Sequence, residues 1–220
     1  MRRFLMSMVM AAGLLVPALA EAQEASATVS TDQPAPPKEG GLILFGGRVG
    51  GIVPFGGLSP FVTGGIEAGY VFPWLNQGLA AAVQMDYTAP KSDGTQTDPR
   101  LLSNNGSYNW KLTEQQLSIM PVVMYRLTSL GRLVPYVGIG PRIYMLKSNV
   151  KGTVGDQVIS ETTEKSTKVG FGIPLGVEYG LGPGAVLAEL LFQYGGLDHT
   201  ATGDTNTGAA SLALGYRFLL

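Results

Sequence analysis

Eight ionic residues occupy the same kind of position along this chain. Arg48, Glu67, Asp86, Arg126, Arg142, Glu178, Glu189 and Arg217 each lie well inside a stretch of alternating apolar and polar residues, on its polar side. Four are positive and four negative, so the chemistry open to them as a set is mutual neutralisation. A charge near the middle of a strand cannot face lipid cheaply and has to face something polar and enclosed. A closed β-barrel with an apolar outside and a charge-balanced inside satisfies all eight at once.

Residues suited to catalysis are few. The absence of cysteine removes disulfides, thiolate metal sites and cysteine nucleophiles together. His199 is the only histidine, so a Ser-His-acid site would have to use it. The sequence there is His199-Thr200-Ala201, without the His-x-Ser spacing of barrel deacylases, and no catalytic residue is assigned. Asp204-Thr205-Asn206-Thr207-Gly208 lacks the third alternate acid and the closing glutamate of a calcium loop, and reads as an Asx-rich turn. With no metal cluster, Gly-rich phosphate loop or nucleotide fingerprint, neither a metal nor another cofactor is expected.

The elements that must position the eight charges follow from bulk properties and periodicity. Charged residues make up 14% of 220, far below the usual quarter, yet no apolar run long enough for a transmembrane helix follows the N-terminus. Sparse charge without a spanning helix is what a transmembrane barrel produces, because only alternate residues need be apolar. A net charge of −1 argues against nucleic acid as a partner. Residues 1–20 read as a signal peptide: Arg2 and Arg3, an apolar stretch ending at Pro17, then Ala18-Leu19-Ala20 as a cleavage site. Residues 21–40 are polar, aperiodic and Pro-containing, and are expected to form a flexible periplasmic tail. Residues 41–220 remain for the barrel.

Period-two alternation places eight strands at about 42–53, 61–72, 79–88, 113–127, 133–147, 167–180, 185–195 and 211–220. The last is the clearest, with Leu212, Leu214, Tyr216, Phe218 and Leu220 on one side and Ser211, Ala213, Gly215 and Arg217 on the other. Connections after the second, fourth and sixth strands are short, whereas 89–112, 148–166 and 196–210 are long and polar. Outer-membrane barrels keep short turns on the periplasmic side, which puts both termini there and the long loops outside. Outward Phe72, Tyr125, Tyr179 and Phe218 toward the turns, with Tyr87 and Tyr194 toward the loops, suit interfacial girdles. An eight-stranded barrel is just wide enough for its own side chains. Arg48, Glu67, Glu189 and Arg217 are therefore expected to form one self-neutralising layer, with Asp86, Arg126, Arg142 and Glu178 at other depths.

The C-terminal Gly215-Tyr216-Arg217-Phe218-Leu219-Leu220, the signal peptide and the eight strands resemble the OmpA/OmpX-like, porin-family outer-membrane barrels, as do Arg48-Val49-Gly50-Gly51 and Glu67-Ala68-Gly69-Tyr70. The resemblance implies an all-β, eight-stranded antiparallel up-and-down transmembrane β-barrel in a Gram-negative outer membrane. It implies outer-membrane lipids and lipopolysaccharide as surroundings and the barrel-assembly machinery as a partner in biogenesis. The expected role is structural or surface-interactive and not enzymatic, with loops 89–112 and 148–166 as contact surface. A narrow conduit for small apolar solutes, of the OmpW type, is the second reading, suggested by inward Met120, Val122 and Met124. A soluble lipocalin-like binding barrel is the third and requires an apolar inside.

Overall fold

A computed structural model describes residues 40–56, 58–101, 104–197 and 205–220. The signal and nearly all of the tail expected over 1–40, and His199 and Asp204, lie outside them. Among the described residues there are nine strands: β1 (Leu42–Pro54), β2 (Phe61–Phe72), β3 (Leu79–Thr88), β4 (Lys91–Thr97), β5 (Ser107–Arg126), β6 (Leu133–Val154), β7 (Gln157–Leu181), β8 (Gly184–Gly195) and β9 (Ala209–Leu219). All pairings are antiparallel. β1 pairs with both β2 and β9, and β3 pairs with β5, so eight strands close into a ring in the order β1-β2-β3-β5-β6-β7-β8-β9.

β4 is not a ninth stave of this barrel. Thr88 stands opposite Gln116 and Lys91 opposite Thr113, which is one unbroken register against β5. Proline has no N–H to give a ladder, so Pro90 divides one long strand into β3 and β4; its carbonyl still accepts from Glu114 N at 3.0 Å. This corrects the expected loop 89–112, most of which is β-structure. The loop expected over 148–166 is corrected likewise. β6 and β7 run on through it to a two-residue turn at Gly155-Asp156, where Gly155 takes a left-handed φ of 57°. Charged and hydroxylated residues such as Glu161-Thr162-Thr163-Glu164-Lys165 conceal the strand, because above the membrane neither face needs to be apolar. The four long staves therefore rise as a sheet beyond the pairing of Gly170 with Gly195, where β7 parts from β8.

The alternation sorts side chains as the membrane reading requires. Ile66 is 63% and Val169 67% exposed on the outer wall, while Glu67 is 5% and Arg217 0% exposed within. Tyr87, Tyr125, Tyr179 and Tyr194 also face outward. Phe45 stacks on Phe218 at 4.6 Å and Phe72 on Trp74 at 5.2 Å toward the turn end. A lipocalin-type binding barrel needs the opposite sorting, so that alternative does not hold.

One part of the wall departs from regular pairing. Between Ile119↔Ile143 and Val123↔Ile139, Pro121 faces Pro141 across the β5–β6 ladder. The next ladder is interrupted between Val137↔Leu175 and Gly140↔Gly172, where Pro174 falls opposite Gly138. Proline is ordinarily confined to sheet edges and bulges. Here it removes successive N–H donors halfway along the apolar stretch Leu117–Tyr125.

Candidate functional site

Each of the eight ring strands contributes one member of the ionic set: Arg48 from β1, Glu67 from β2, Asp86 from β3, Arg126 from β5, Arg142 from β6, Glu178 from β7, Glu189 from β8 and Arg217 from β9. All are buried in the lumen. Arg48 lies 2.8 Å from Asp86, 3.6 Å from Glu67 and 3.4 Å from Glu189. Asp86 also accepts from Arg142 at 2.9 Å. Glu67 receives Nε and Nη2 of Arg217 at 2.6 and 2.8 Å. Arg217 reaches on to Glu178, which takes a 2.6 Å contact from Arg126. The charges thus alternate along one chain, Arg142–Asp86–Arg48–Glu67–Arg217–Glu178–Arg126, with Glu189 branching from Arg48.

Glycine makes these reaches possible. On β1, Gly46 stands between Glu67 on one neighbour and Arg217 on the other. A Cβ there would meet Tyr216 O at 2.6 Å and Glu67 Oε1 at 3.2 Å, so the Glu67–Arg217 pair closes over an absent side chain. Gly65 on β2 similarly separates Arg48 from Asp86. The third instance is Gly176 between Tyr136 and Glu189, where the Tyr136 hydroxyl donates to Glu189 at 2.8 Å. In the Glu67–Arg217 and Arg48–Asp86 pairs, charged residues on next-but-one strands bond across a lumen position that glycine leaves empty.

Neutral groups complete the set. Gln84 Nε2 donates to Glu67 at 3.2 Å and to Glu189 at 3.4 Å. Ser118 Oγ accepts from Arg142 at 2.6 Å. Arg217 lies over the Tyr136 ring at 4.9 Å, a cation–π contact. Toward the turns, Leu44, Val71, Ala80, Ala82, Met120, Val122, Met124, Tyr136 and Leu191 form a packed apolar cluster. The void beside Arg48, Asp86 and Arg142 holds about 10 Å³, and one nearer the loops about 20 Å³. Each is on the scale of a single water.

The expected layer of Arg48, Glu67, Glu189 and Arg217 forms through three of its contacts. The other four residues, expected at separate depths, extend the same network instead. Strand stagger, which the sequence does not reveal, sets those heights. Glu114 is a further buried acid on β5, 3.3 Å from Ser148 Oγ. Its inward parity is the signal for it, although it lies beyond the strand middles that hold the other eight. In the last loop, Gly208 N donates to Asn206 Oδ1 at 2.9 Å, closing an Asx turn. Among the described residues no cluster of three His, Cys, Asp or Glu could hold a metal ion.

Residues 8–218 match the outer membrane protein beta-barrel domain family. The chain belongs to that family. It is an integral outer-membrane β-barrel protein, and the ionic set lines the interior of such a barrel. Solved structures similar to this outer-membrane barrel include Neisserial surface protein A, with 21% identity over 81% of this chain and 96% of that one, at a TM-score of 0.46. A major outer membrane protein of Thermus thermophilus has 15% identity over 81% and 99%, at 0.49. OprG of Pseudomonas aeruginosa has 13% identity over 83% and 97%, at 0.44. No curated protein matches the chain in sequence.

Proposed function

We propose that this outer-membrane barrel is a structural and surface-interacting protein whose lumen is closed by its own charges. The observation that carries this is the single network joining all eight ionic side chains, with neighbouring voids no larger than a water molecule. A conducting pore needs a continuous file of water, and four arginines paired with four carboxylates stand across its path. The signal sequence directs export, the barrel-assembly machinery reads the final strand Ala209–Leu219, and both termini stay periplasmic. The raised sheet of β4–β7 then stands on the cell surface, among lipopolysaccharide, and meets partners there. No residue is assigned a catalytic role.

Planar-bilayer recording tests the closed lumen. Wild-type protein is expected to give no steady conductance, while Arg217→Ala, which empties the most buried site, opens short-lived events. Large steady currents from the wild type would overturn the reading. The second reading, a conduit for small apolar solutes, draws on the Pro121–Pro141 interruption beside Met120, Val122 and Met124. Those side chains are packed at 0%, 3% and 0% exposure, so a solute would have to displace them. Uptake of an alkane in a deletion strain and its complement distinguishes the two.

A further inference from the structure

Above the apolar belt, the outward face of the raised sheet bears lysines at Lys91, Lys111, Lys147, Lys151 and Lys165 against the acids Asp93 and Glu161. Two of its cross-strand pairs join like charges: Lys111 is opposite Lys151, and Lys147 is opposite Lys165. Like charges placed directly across a ladder are destabilising. The upper pair is flanked by Asp93 on β4 and Glu161 on β7, so that row neutralises itself. The lower pair has no such relief. Its outward neighbours are Gln115, Thr163 and Thr167, and among the described residues neither lysine makes an ion pair.

The position of the lower pair identifies what relieves it. Lys147 and Lys165 share the face of Ile143, Met145 and Val169, which touches lipid. Lys147 is the next outward residue after Met145, and only Thr167 separates Lys165 from Val169. The ammonium groups therefore emerge at headgroup height. They also sit at a non-hydrogen-bonded position, fixed by the Gly180 N to Arg132 O bond in the alternate phase, where facing side chains stand closest. Lys165 lies on the part of β7 that no longer pairs with β8, so the site is open from the side.

We infer that Lys147 and Lys165 bind the phosphate of an anionic lipid headgroup in the leaflet on the loop side, holding one phosphate between two ammonium groups. This rests on the outer-membrane reading above and adds a defined lipid contact to it. The upper row, already neutral, is not part of the site. Each lysine at an anionic membrane surface is worth about a fivefold preference.

The test reconstitutes the full protein in phosphatidylcholine vesicles containing spin-labelled phosphatidic acid and measures the motionally restricted fraction. Wild type should select phosphatidic acid over spin-labelled phosphatidylcholine, and Lys147→Gln with Lys165→Gln should remove most of that selectivity. Double replacement by arginine should retain it, as should Arg132→Gln on the opposite rim. Thermal unfolding gives an independent sign. In neutral detergent Lys147→Gln should melt above wild type, since a repulsion is gone, and with phosphatidic acid present the order should reverse. Equal selectivity in wild type and the glutamine double variant overturns the inference. So does inorganic phosphate competing as well as the lipid, which would make the site one for free anions. A conducting lumen would sink the proposed function while leaving this selectivity intact, so the two failures are distinguishable.

Discussion

Replacing Arg217 by methionine removes the most connected member of the lumen network. Its guanidinium is fully buried, donates two bonds to Glu67, contacts Glu178 and covers the Tyr136 ring. Glu67 would keep Arg48 at 3.6 Å and Gln84 at 3.2 Å, and Glu178 would keep Arg126 at 2.6 Å. The lumen would nevertheless carry one uncompensated negative charge in a space without bulk water. Removing one partner of a buried pair costs about 3–5 kcal/mol, and that is the expected loss in urea unfolding of vesicle-reconstituted protein. Tryptophan fluorescence and heat-modifiable gel mobility both report it. Adding Glu67→Gln restores the balance, so the double variant should fall short of the summed single losses by about 2 kcal/mol, within the range for groups in one network. A loss below about 1 kcal/mol for Arg217→Met, or strict additivity in the cycle, would refute the account of a coupled network.

Gly46→Ala, whose Cβ meets Tyr216 O and Glu67, should cost about 1–3 kcal/mol as overpacking. Gly47→Ala on the outer face, with nothing nearer than 3.8 Å, should change stability by less than about 0.5 kcal/mol in the same urea assay. Ile139→Arg, at a lipid-facing position 62% exposed, should lose about 2–4 kcal/mol in vesicles; a neutral result would mean that this face does not meet hydrocarbon. At the tip of the raised sheet, hydrogen bonds from Arg100 hold the Asp98 carboxyl down from 3.8 to about 2. A depressed carboxylate contributes above its unfolded pKa and loses that contribution as pH falls through its folded one. The Asp98 carboxyl resonance in micelles should therefore titrate near 2, and Arg100→Gln should move it up toward 3.8.

The transmembrane half of the fold was legible because lipid imposes a strict period of two, and the inward parity of all eight ionic residues followed from it. Period alone could not give their heights. Arg142 joins Asp86, and Glu178 joins Arg217, only once the stagger of β6 and β7 is known. The glycines bridging the network were equally silent, since a strand sequence does not say which residue stands across from Gly46 or Gly65. Above the membrane the constraint lapses. Thr95, Asn149 and Thr163 lie on strands, but no greasy face marks them, and Pro90 interrupts the strand without ending it. The Lys147–Lys165 opposition belongs to the same blind region, being a property of register and not of either strand.

The facing prolines Pro121 and Pro141 have an architectural consequence. Their joint divides the ring into the staves made first, β1, β2, β3 and β5, and those made last, β6 to β9. The first group pairs without a break, the second carries the further interruption at Pro174, and the two meet again only where β9 closes on β1. Across the joint two carbonyls confront each other without a donor between them, in the medium least able to supply one. The wall is therefore tied above and below a patch where its ladder bonds are missing, and the gap at Pro174 widens that patch onto the next strand.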